Sequence, residues 1–334
     1  MNFEELARSS LRERADFVAV TATNLGISEL VVEKDFWVVW MLARLFSLSE
    51  RIGPFTFKGG TSLSKGFGLI NRFSEDIDIS ISRSALGFPD DTYFSEAVSR
   101  GALQRRIQGI RDSVHAYVTD TVLPELRQLI HSHLGNTGWS LDVAEPGGLR
   151  FRYPTRQVGQ IGYVRPDVAI EFGHADPWPS LDVTIRPYIA DVVASVTGSA
   201  RVTVLDPRRT FWEKATALHE VAHRPRDVRV PDRFSRHYYD VAAIATTEIG
   251  SRAIADTDLL EKVARFKNTF FYSSRARYDL AKPGTIRLMF PEYRYSAIER
   301  DYEQMQPMLF GDVPSFSTIC ERLATLEATI NTAR

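Results

Sequence analysis

The chain has 334 residues, and its 41 Lys and Arg nearly balance its 42 Asp and Glu, for a formal net charge of −1. That length suits one large or two modest domains, and that charge balance does not favour a general grip on nucleic acid. The single cysteine, Cys320, excludes an intrachain disulfide and a zinc site built on cysteines.

Two N-terminal helices are predicted, over Asn2–Leu25 and Glu29–Leu48. The first has no apolar core of the kind found in secretion signals. The second is apolar but contains four charged residues, which indicates a buried helix rather than a membrane span. The charged residues are Glu33, Lys34, Asp35 and Arg44, and the side chains predicted to be buried are Phe36, Trp37, Trp40 and Leu45. Asp35 is expected to have a structural role, paired with Lys34 or with a backbone group, and a cytoplasmic protein without a membrane segment is expected.

The stretch from Phe57 to Ser82, FKGGTSLSKGFGLINRFSEDIDISIS, combines glycines, hydroxyls and acids in an order that core packing does not explain. A short strand is predicted to end at Gly59 and Gly60, followed by a brief helix over Ser62–Ile70. A second strand is predicted in RFSEDIDISIS.

Side chains alternate along a strand, so the isoleucines of this second strand face the core, while Asp76, Asp78 and Ser80 share the other face. The Cα atoms of residues two apart lie ~6.6 Å from each other, so the two carboxylates can converge on Mg²⁺ or Mn²⁺. Such a cation removes the repulsion between the acids and leaves coordination sites for phosphate. The alternative is a pair of solvent-facing acids on an edge strand.

The double glycine, Gly59 and Gly60, lets main-chain N–H groups approach a phosphate closely. Other groups that could join them are the flanking Lys58 and Lys65, the hydroxyls of Thr61, Ser62 and Ser64, and Ser74, which lies two residues before Asp76 and shares its face. The sequence therefore predicts a site where a nucleoside triphosphate and a metal ion meet, as phosphoryl and nucleotidyl transfer require. The alternative is an ordinary turn with solvated lysines.

The rest of the chain divides into a long helical stretch, a β-rich region and a helical C-terminal part. The first helical stretch is predicted from Thr92 to about His133, with a new helix or a kink at Pro124. The β-rich segments are WSLDVAE, LRFRYP, IGYVRPDVAIEFG, LDVTIRPYI and ARVTVL. From Asp206 onward helices are predicted, apart from loops at His223–Phe234 and Ala281–Tyr295, so a domain boundary is expected near residue 205.

Basic residues are concentrated in this C-terminal part. Residues 201–300 contain 19 Lys and Arg against 13 Asp and Glu, which indicates either local phosphate contact or a solvated surface. From Phe266 to Tyr295 basic and aromatic residues interleave, a pattern that suits phosphate backbones and stacked bases. Aromatic residues are also ordinary core material, so this stretch gives only weak support for an RNA acceptor.

The segment KGGTSLSKGFGLINRFSEDIDISI resembles the signature of the AbiEii/AbiGii toxin family, minimal-type nucleotidyltransferases of bacterial abortive-infection and type IV toxin–antitoxin systems. Other segments resemble family motifs in the same order: EKDFWVVWML, DPRRTFWEKATALHE, RHYYDV and the C-terminal RDYEQMQPMLFGDVPSFSTICERLATLEATIN. The resemblance implies an α+β fold with a minimal nucleotidyltransferase-type mixed sheet, flanked by helices, and a helical C-terminal domain. It implies a core over residues 1–204, with a helical insertion at about 90–134, and a domain over residues 205–334 that completes the active site.

The resemblance also implies roles for residues beyond the first motif. Folds of this type use a third acid from a neighbouring strand, for which Glu171 is favoured and Asp167 is the alternative. Lys214 flanks the apolar stripe of a helix predicted over Pro207–Ala222, so its stem is expected to be partly buried. The family's lysine motif implies that Lys214 contacts the nucleotide triphosphate, and Asp240 is implied to have a catalytic or lysine-positioning role.

Two histidines, His219 and His223, lie four residues apart on a predicted helix, a spacing that zinc can use. No third ligand is evident in the sequence, so a polar helix edge is the better interpretation.

The resemblance implies a magnesium-dependent toxin that transfers a nucleoside monophosphate from a nucleoside triphosphate to an acceptor hydroxyl. The 3′ end of tRNA is the favoured acceptor, and a separately encoded antitoxin is the expected partner. Three alternatives remain open: modification of a protein or small molecule on the same fold, a binding protein that has lost turnover, and a glycosyltransferase that uses the D-x-D pair.

Overall fold

The computed structural model describes residues 1–88, 94, 99–144, 147–156, 164–175 and 178–332. The chain divides into two compact units, the first formed by residues 1–66 with 73–205 and the second by residues 67–72 with 206–334. The sequence did not predict that the short segment 67–72, which follows the glycine motif, belongs to the second unit.

The described residues of the first unit form a seven-stranded sheet. Its strands are β1 Phe55–Lys58, β2 Ile77–Ser82, β3 Ser140–Ala144, β4 Gly148–Arg152, β5 Val168–Ala175, β6 Ser180–Ile185 and β7 Ala200–Leu205. Their order is β3-β4-β5-β2-β1-β7-β6. The pairs β1–β7 and β2–β5 are parallel and the other neighbours are antiparallel, which confirms the predicted mixed sheet.

Strand β2 at the centre of the sheet shows the predicted alternation. Ile77, Ile79 and Ile81 are fully buried, while Asp78 on the opposite face is half-buried. The apolar side chains anchor the strand in the core, so the carboxylate is directed to the other side of the sheet. Asp76 lies one residue before the strand begins.

The N-terminal helices are Phe3–Arg8, Leu11–Leu25 and Glu29–Ile52. The prediction of one continuous first helix is wrong, because the chain breaks at Ser9 and Ser10. The Ser10 hydroxyl accepts a hydrogen bond from the Glu13 main-chain N–H (3.2 Å) and so caps the second helix. The Glu29–Ile52 helix starts where it was predicted and continues four residues beyond Leu48.

The Glu29–Ile52 helix is largely buried, and Phe36, Trp37, Trp40 and Leu45 are fully buried as predicted. Two of its rings stack on aromatic residues of β4 and the residue after it: Trp40 on Phe151, with centroids 5.9 Å apart, and Trp37 on Tyr153, at 5.5 Å. Among the described residues, no single helix is long and apolar enough to cross a membrane; the Leu11–Leu25 and Glu29–Ile52 helices meet the length and composition test only as a pair bent by 113°.

The first unit contains further helices at Arg100–Tyr117, Leu123–Leu134 and Tyr188–Val192. A π-helical turn at Val118–Val122 joins the first two, and Pro124 lies in the first turn of the second, where its missing N–H is tolerated. The predicted start of this helical stretch, near Thr92, lies outside the described residues, as do residues 157–163 before β5. In LDVTIRPYI the strand ends at Ile185, and Pro187 is the N-cap of the Tyr188–Val192 helix that follows.

The second unit is helical, as predicted. Its α-helices are Pro207–His223, Ser235–Ala245, Glu248–Ala255, Thr257–Phe270, Tyr295–Met305 and Phe316–Thr332, with short 3₁₀ turns at Tyr278–Leu280, Glu292–Arg294 and Gln306–Met308. Asp206 caps the first helix by accepting from the Arg208 N–H (2.9 Å), and Pro207 occupies the first helical position. The described residues of the predicted loops at His223–Phe234 and Ala281–Tyr295 contain no α-helix apart from His223, which ends one helix, and Tyr295, which begins another.

Candidate active site

The glycine turn and the acidic strand meet at Gly59 and Asp78. Gly59 has a positive φ of 82°, and a Cβ at this position would lie 1.8 Å from Asp78 Oδ2 and 2.7 Å from its carboxyl carbon. Such contacts are sterically impossible, so only glycine allows the Asp78 carboxylate to lie directly against the turn. The side chain of Asp78 therefore faces the double glycine, as the predicted site requires.

The register of the sheet places two more charged residues beside Asp78. Lys58 of β1 is its antiparallel partner, and Glu171 of β5 is its parallel partner. Residues directly opposite each other in neighbouring strands share a face of the sheet. Lys58, Asp78 and Glu171 thus form a row across three strands, with Asp78 half-buried and Glu171 exposed.

The alternative third acid, Asp167, lies before β5 and has a different environment. Both of its carboxylate oxygens accept a hydrogen bond from Arg150 Nη1, each at 3.0 Å. This ion pair already compensates its charge, whereas Glu171 is aligned with Asp78. The register thus places Glu171, and not Asp167, directly opposite Asp78.

Asp78 of β2 and Glu171 of β5 offer two carboxylates on one face of the sheet, and carboxylate oxygens are the ligands that hard divalent cations prefer. Among the described ranges, no three His, Cys, Asp or Glu side chains are grouped closely enough to form a metal centre by themselves. The described residues therefore do not bring Asp76, Asp78 and Glu171 together as a three-carboxylate metal centre, although oxygen ligands of this type are those that Mg²⁺ or Mn²⁺ takes.

The hydroxyl groups of the turn are used within the protein. Thr61 Oγ1 donates to the Asp76 carbonyl (2.6 Å), Ser62 Oγ to the Gly59 carbonyl (2.9 Å) and Ser64 Oγ to the Thr61 carbonyl (3.3 Å). Thr61 and Ser62 are fully buried, and the preceding Gly60 is buried as well. These bonds close the helical turn Gly59–Thr61 and the π-helical turn Ser62–Gly66 that follows, and they join the turn to the residue before β2.

Two consecutive residues of the Glu29–Ile52 helix hold both sides of this motif. Lys34 Nζ lies 2.7 Å from Glu75 Oε2, just before Asp76, and Asp35 Oδ1 lies 2.9 Å from Lys65 Nζ, just after the glycine turn. The predicted pairing of Lys34 with Asp35 is therefore wrong, but a backbone partner is present, because Asp35 Oδ2 accepts from the Tyr188 N–H (2.6 Å). Burial raises the pKa of Asp35, and Lys65 and this N–H oppose the rise.

These contacts distinguish the two lysines that flank the turn. Lys65 is nearly buried, with its charge paired to Asp35 and its Nζ 3.6 Å from the centroid of the Tyr188 ring. Lys58 is half-buried and lies opposite Asp78. Of the two, Lys58 is the better candidate for phosphate contact, and Lys65 has a structural role. Ser74 is half-buried in the segment before β2.

In the second unit, Lys214 and Asp240 belong to a buried network that also contains Arg72. Arg72 donates from Nε and Nη2 to the two carboxylate oxygens of Asp240, at 2.7 and 2.8 Å, and Lys214 Nζ lies 2.8 Å from Asp240 Oδ2. Asp240 is fully buried, Arg72 is 3% exposed and Lys214 is 8% exposed. The predicted burial of the Lys214 stem is confirmed.

Opposing effects set the charges in this network. Burial would raise the pKa of Asp240, but the charges of Arg72 and Lys214 and their hydrogen bonds hold it well below its usual range. Burial lowers the pKa of Lys214, and Asp240 opposes that change. Burial and the neighbouring Lys214 and Arg236 also lower the pKa of His237, whose Nδ1 lies 3.5 Å from Lys214 Nζ. Asp240 is thus ionised at neutral pH and holds Lys214 in place, which favours its lysine-positioning role.

Arg72 is the residue of this network that the sequence did not reveal. It stands in the segment between the glycine turn and the acidic strand, and its partner Asp240 is 168 positions away in the chain. The main chain of the same segment is held in the second unit as well, since the Asn71 N–H donates to the Tyr239 hydroxyl (3.2 Å) and the Asn71 carbonyl accepts from the Phe310 N–H (2.8 Å).

His219 is a buried structural residue. Its Nδ1 accepts from the Arg287 N–H (2.9 Å), so its Nε2 carries the hydrogen that is donated to the Arg277 carbonyl (2.9 Å). His223 Nδ1 bonds the His219 carbonyl (2.9 Å). Both ring nitrogens of His219 are therefore engaged by main chain, and because the residue is fully buried, its interpretation as part of a polar helix edge is wrong.

Comparison with known proteins connects this geometry to a family. The family model described as nucleotidyl transferase AbiEii toxin, type IV toxin–antitoxin system, matches residues 40–325. The structure is similar to that of MenT4, a nucleotidyltransferase toxin from Mycobacterium tuberculosis H37Rv, with a TM-score of 0.51 and 17% sequence identity over 96% of this chain and 90% of that chain. At this identity the similarity shows the fold alone. No curated protein matches the sequence.

The contact between Gly59 and Asp78 predicts a large effect of Gly59→Ala on stability. The new methyl group must displace the carboxylate as well as adopt a positive φ, so we expect a loss of about 3 kcal/mol in the free energy of unfolding. Gly26→Ala is the matched control, because Gly26 also has a positive φ (65°) in the same unit but no atom within 4 Å of its added Cβ. Urea unfolding should give a loss of only about 1 kcal/mol for the control; equal losses would contradict the close contact.

Removal of Arg72 should destabilise the second unit. Arg72→Ala leaves the buried Asp240 with Lys214 as its remaining cationic partner among the contacts described here, and breaking a buried ion pair costs about 3–5 kcal/mol. Arg265→Ala removes an exposed pair with Glu261 in the same unit and should change the unfolding free energy little. Similar behaviour of the two variants in chemical denaturation would show that the buried network does not stabilise this unit.

The buried His219 predicts that stability falls as the pH is lowered. Burial lowers the pKa of His219 from 6.5 to about 4, so between these values the unfolded chain binds more protons and the folded state loses stability as the pH falls. From pH 7.5 to pH 5 the wild type should lose about 2 kcal/mol more than His219→Gln, which keeps a donor and an acceptor without titrating. Parallel pH profiles for the two proteins would rule out this contribution.

Proposed function

Because the chain belongs to the AbiEii nucleotidyltransferase toxin family, we propose that it transfers a nucleoside monophosphate from a nucleoside triphosphate to the 3′-terminal hydroxyl of tRNA. The observation that carries this proposal is the Asp78 carboxylate lying against Gly59, with Glu171 beside it in register. A glycine turn next to a pair of acids is the arrangement that positions a triphosphate for transfer.

In the proposed reaction the acceptor oxygen forms a bond to the α-phosphorus in line with the departing pyrophosphate. The bond between the α-phosphorus and the oxygen that bridges to the β-phosphorus breaks, and the hydroxyl proton passes to solvent. We propose that main-chain N–H groups of the Gly59–Thr61 turn hold the phosphates, because the hydroxyls of Thr61 and Ser62 already donate to carbonyls. Lys58, opposite Asp78, would add a positive charge.

Asp76, Asp78 and Glu171 would hold Mg²⁺ or Mn²⁺, with oxygens of the triphosphate completing the coordination. When bound, such a cation neutralises the charge that develops on the phosphates during transfer. Two observations support this proposal: the close contact of Asp78 with Gly59 and the in-register pairing of Glu171 with Asp78.

Lys214 would neutralise the triphosphate, and Asp240 would orient the Lys214 side chain. Asp240 is ionised, fully buried and 2.8 Å from the ammonium group. Arg72 donates a hydrogen bond to each Asp240 oxygen and so limits the positions open to the carboxylate. In this proposal Arg72 and Asp240 are positioning residues, and Lys214 contacts substrate.

The family implies a cognate antitoxin as partner. We propose that the protein acts in the cytoplasm, where nucleoside triphosphates and tRNA are available. The basic residues concentrated between positions 201 and 300 support an RNA acceptor, since nucleic acid binding depends on phosphate neutralisation.

Transfer assays on site variants test the assignment of the acids. Asp78→Asn and Glu171→Gln should each lower the rate of labelled nucleotide transfer more than about a hundredfold, because even residues that only support a metal ligand contribute about 10–100-fold. Asp167→Asn is the control, since its side chain pairs with Arg150, and it should retain most activity. Equal losses at Glu171 and Asp167 would contradict the proposed third acid.

The nature of the acceptor is tested by incubating the protein with each of the four labelled ribonucleoside triphosphates and separate pools of tRNA, protein and small molecules. Label is expected in tRNA with magnesium and in no pool with a chelator. Label in the protein or small-molecule pool would replace the proposed acceptor, and no label in any pool would contradict the enzyme assignment.

Wild-type chain should also arrest growth on induction, and an equally toxic Asp78→Ala would contradict the metal site.

A further inference from the structure

A cavity of about 550 Å³ lies within the second unit, between the loop that follows the Pro207–His223 helix and the Tyr295–Met305 helix. Its charged lining consists of four arginines and two aspartates: Arg226, Arg229, Arg294, Arg300, Asp232 and Asp301. The lining contains none of the residues assigned to nucleotide transfer. Its volume is that of a typical small-ligand site.

The two aspartates compensate only part of the positive charge. Asp232 pairs with Arg229 at 2.7 Å. Asp301 accepts from two main-chain N–H groups, those of Arg233 and Ser235, both at 2.7 Å. Its carboxylate therefore serves the start of the Ser235–Ala245 helix, where an acid is favourable.

The other three arginines form no ion pair with a carboxylate in the part of the chain that the structure describes. Arg294 is 6% exposed and donates to the carbonyls of Val228 (3.2 Å), Arg224 (3.0 Å) and Pro225 (2.6 Å). These acceptors are neutral, so they fix the guanidinium without cancelling its charge. A fixed, uncompensated cation at the wall of a cavity favours an anionic ligand.

An exposed aromatic ring lies among these charges. Tyr293 is 44% exposed, and the guanidinium carbons of Arg226 and Arg294 each lie 5.1 Å from its ring centroid. These contacts hold the exposed Arg226 side chain near the ring and reduce the entropy that it loses on binding. Aromatic rings and guanidinium planes are the groups on which unpaired bases stack, so the cavity offers contacts for phosphate and for base.

We propose that this cavity binds single-stranded nucleic acid, with backbone phosphates on Arg226 and Arg300 and a base against Tyr293. An acidic peptide would use the arginines but would gain little from the exposed ring. Among the aromatic residues of the 266–295 stretch, Tyr278 and Phe290 are buried in the core, whereas Phe271, Tyr272 and Tyr293 are exposed. Of these three exposed residues, Tyr293 lines the cavity, next to Arg294. The inference goes beyond the proposed transfer, because binding here requires no triphosphate.

Fluorescence anisotropy of a labelled, unpaired oligoribonucleotide of about 12 nucleotides, without nucleoside triphosphate, tests the proposal. The double variant Arg226→Ala/Arg300→Ala should weaken binding at least about tenfold and reduce the salt dependence, log Kd against log salt, by about 1.4, as expected for two lost phosphate contacts on a single strand. The control Arg252→Ala/Arg265→Ala removes the same charge from two exposed arginines that do not line the cavity and should leave both quantities nearly unchanged.

Substitutions of Tyr293 separate base contact from charge. Tyr293→Ala should weaken binding about 5- to 100-fold without altering the salt dependence, while Tyr293→Phe should retain affinity. Equal effects of the two arginine pairs, or no effect of Tyr293→Ala, would overturn the proposal. So would equal competition by an oligoglutamate of the same charge, which would indicate a peptide site. Binding that persists in Asp78→Asn shows that the cavity acts independently of the transfer site, so the two proposals fail or succeed separately.

Discussion

The arrangement of the first unit depends on the close approach of the Asp78 carboxylate to the main chain at Gly59, where no side chain intervenes. Asp78 occupies space that any residue other than glycine at position 59 would fill. Burial of the isoleucines fixes β2 in the sheet, and pairing with β1 brings its acid to the end of the turn. Apolar packing on one face thus determines the position of charge on the other.

Buried ion pairs then hold the surroundings of this contact. Lys34 and Asp35 bind Glu75 and Lys65, and the hydroxyl of Thr61 joins the turn to Asp76. Ion pairs of this kind add little net stability compared with apolar packing, but each partner is costly to leave unpaired. They therefore restrict the motif to conformations in which all these pairs form, and a site that must hold phosphate in a fixed geometry benefits from that restriction.

Patterns confined to a few residues predicted much of this structure. The period of two in β2 predicted which residues face the core. An apolar helix with buried tryptophans was predicted over Glu29–Leu48, and the observed helix is Glu29–Ile52. Contacts between distant residues were not predictable in the same way, because no local pattern shows that Arg72 pairs with Asp240 or that Lys65 turns inward to Asp35. The alignment of Glu171 with Asp78 required the parallel pairing of β2 and β5, which the sequence does not specify.

The inclusion of residues 67–72 in the second unit has a consequence for how the polypeptide can be divided. A fragment that begins at Asp206 lacks Arg72, so its Asp240 would have to be buried with half of its cationic partners missing. A fragment that ends at Leu205 would carry the same six residues without the surroundings in which they are held. Neither fragment is therefore expected to fold on its own, and the two parts of the polypeptide must fold together.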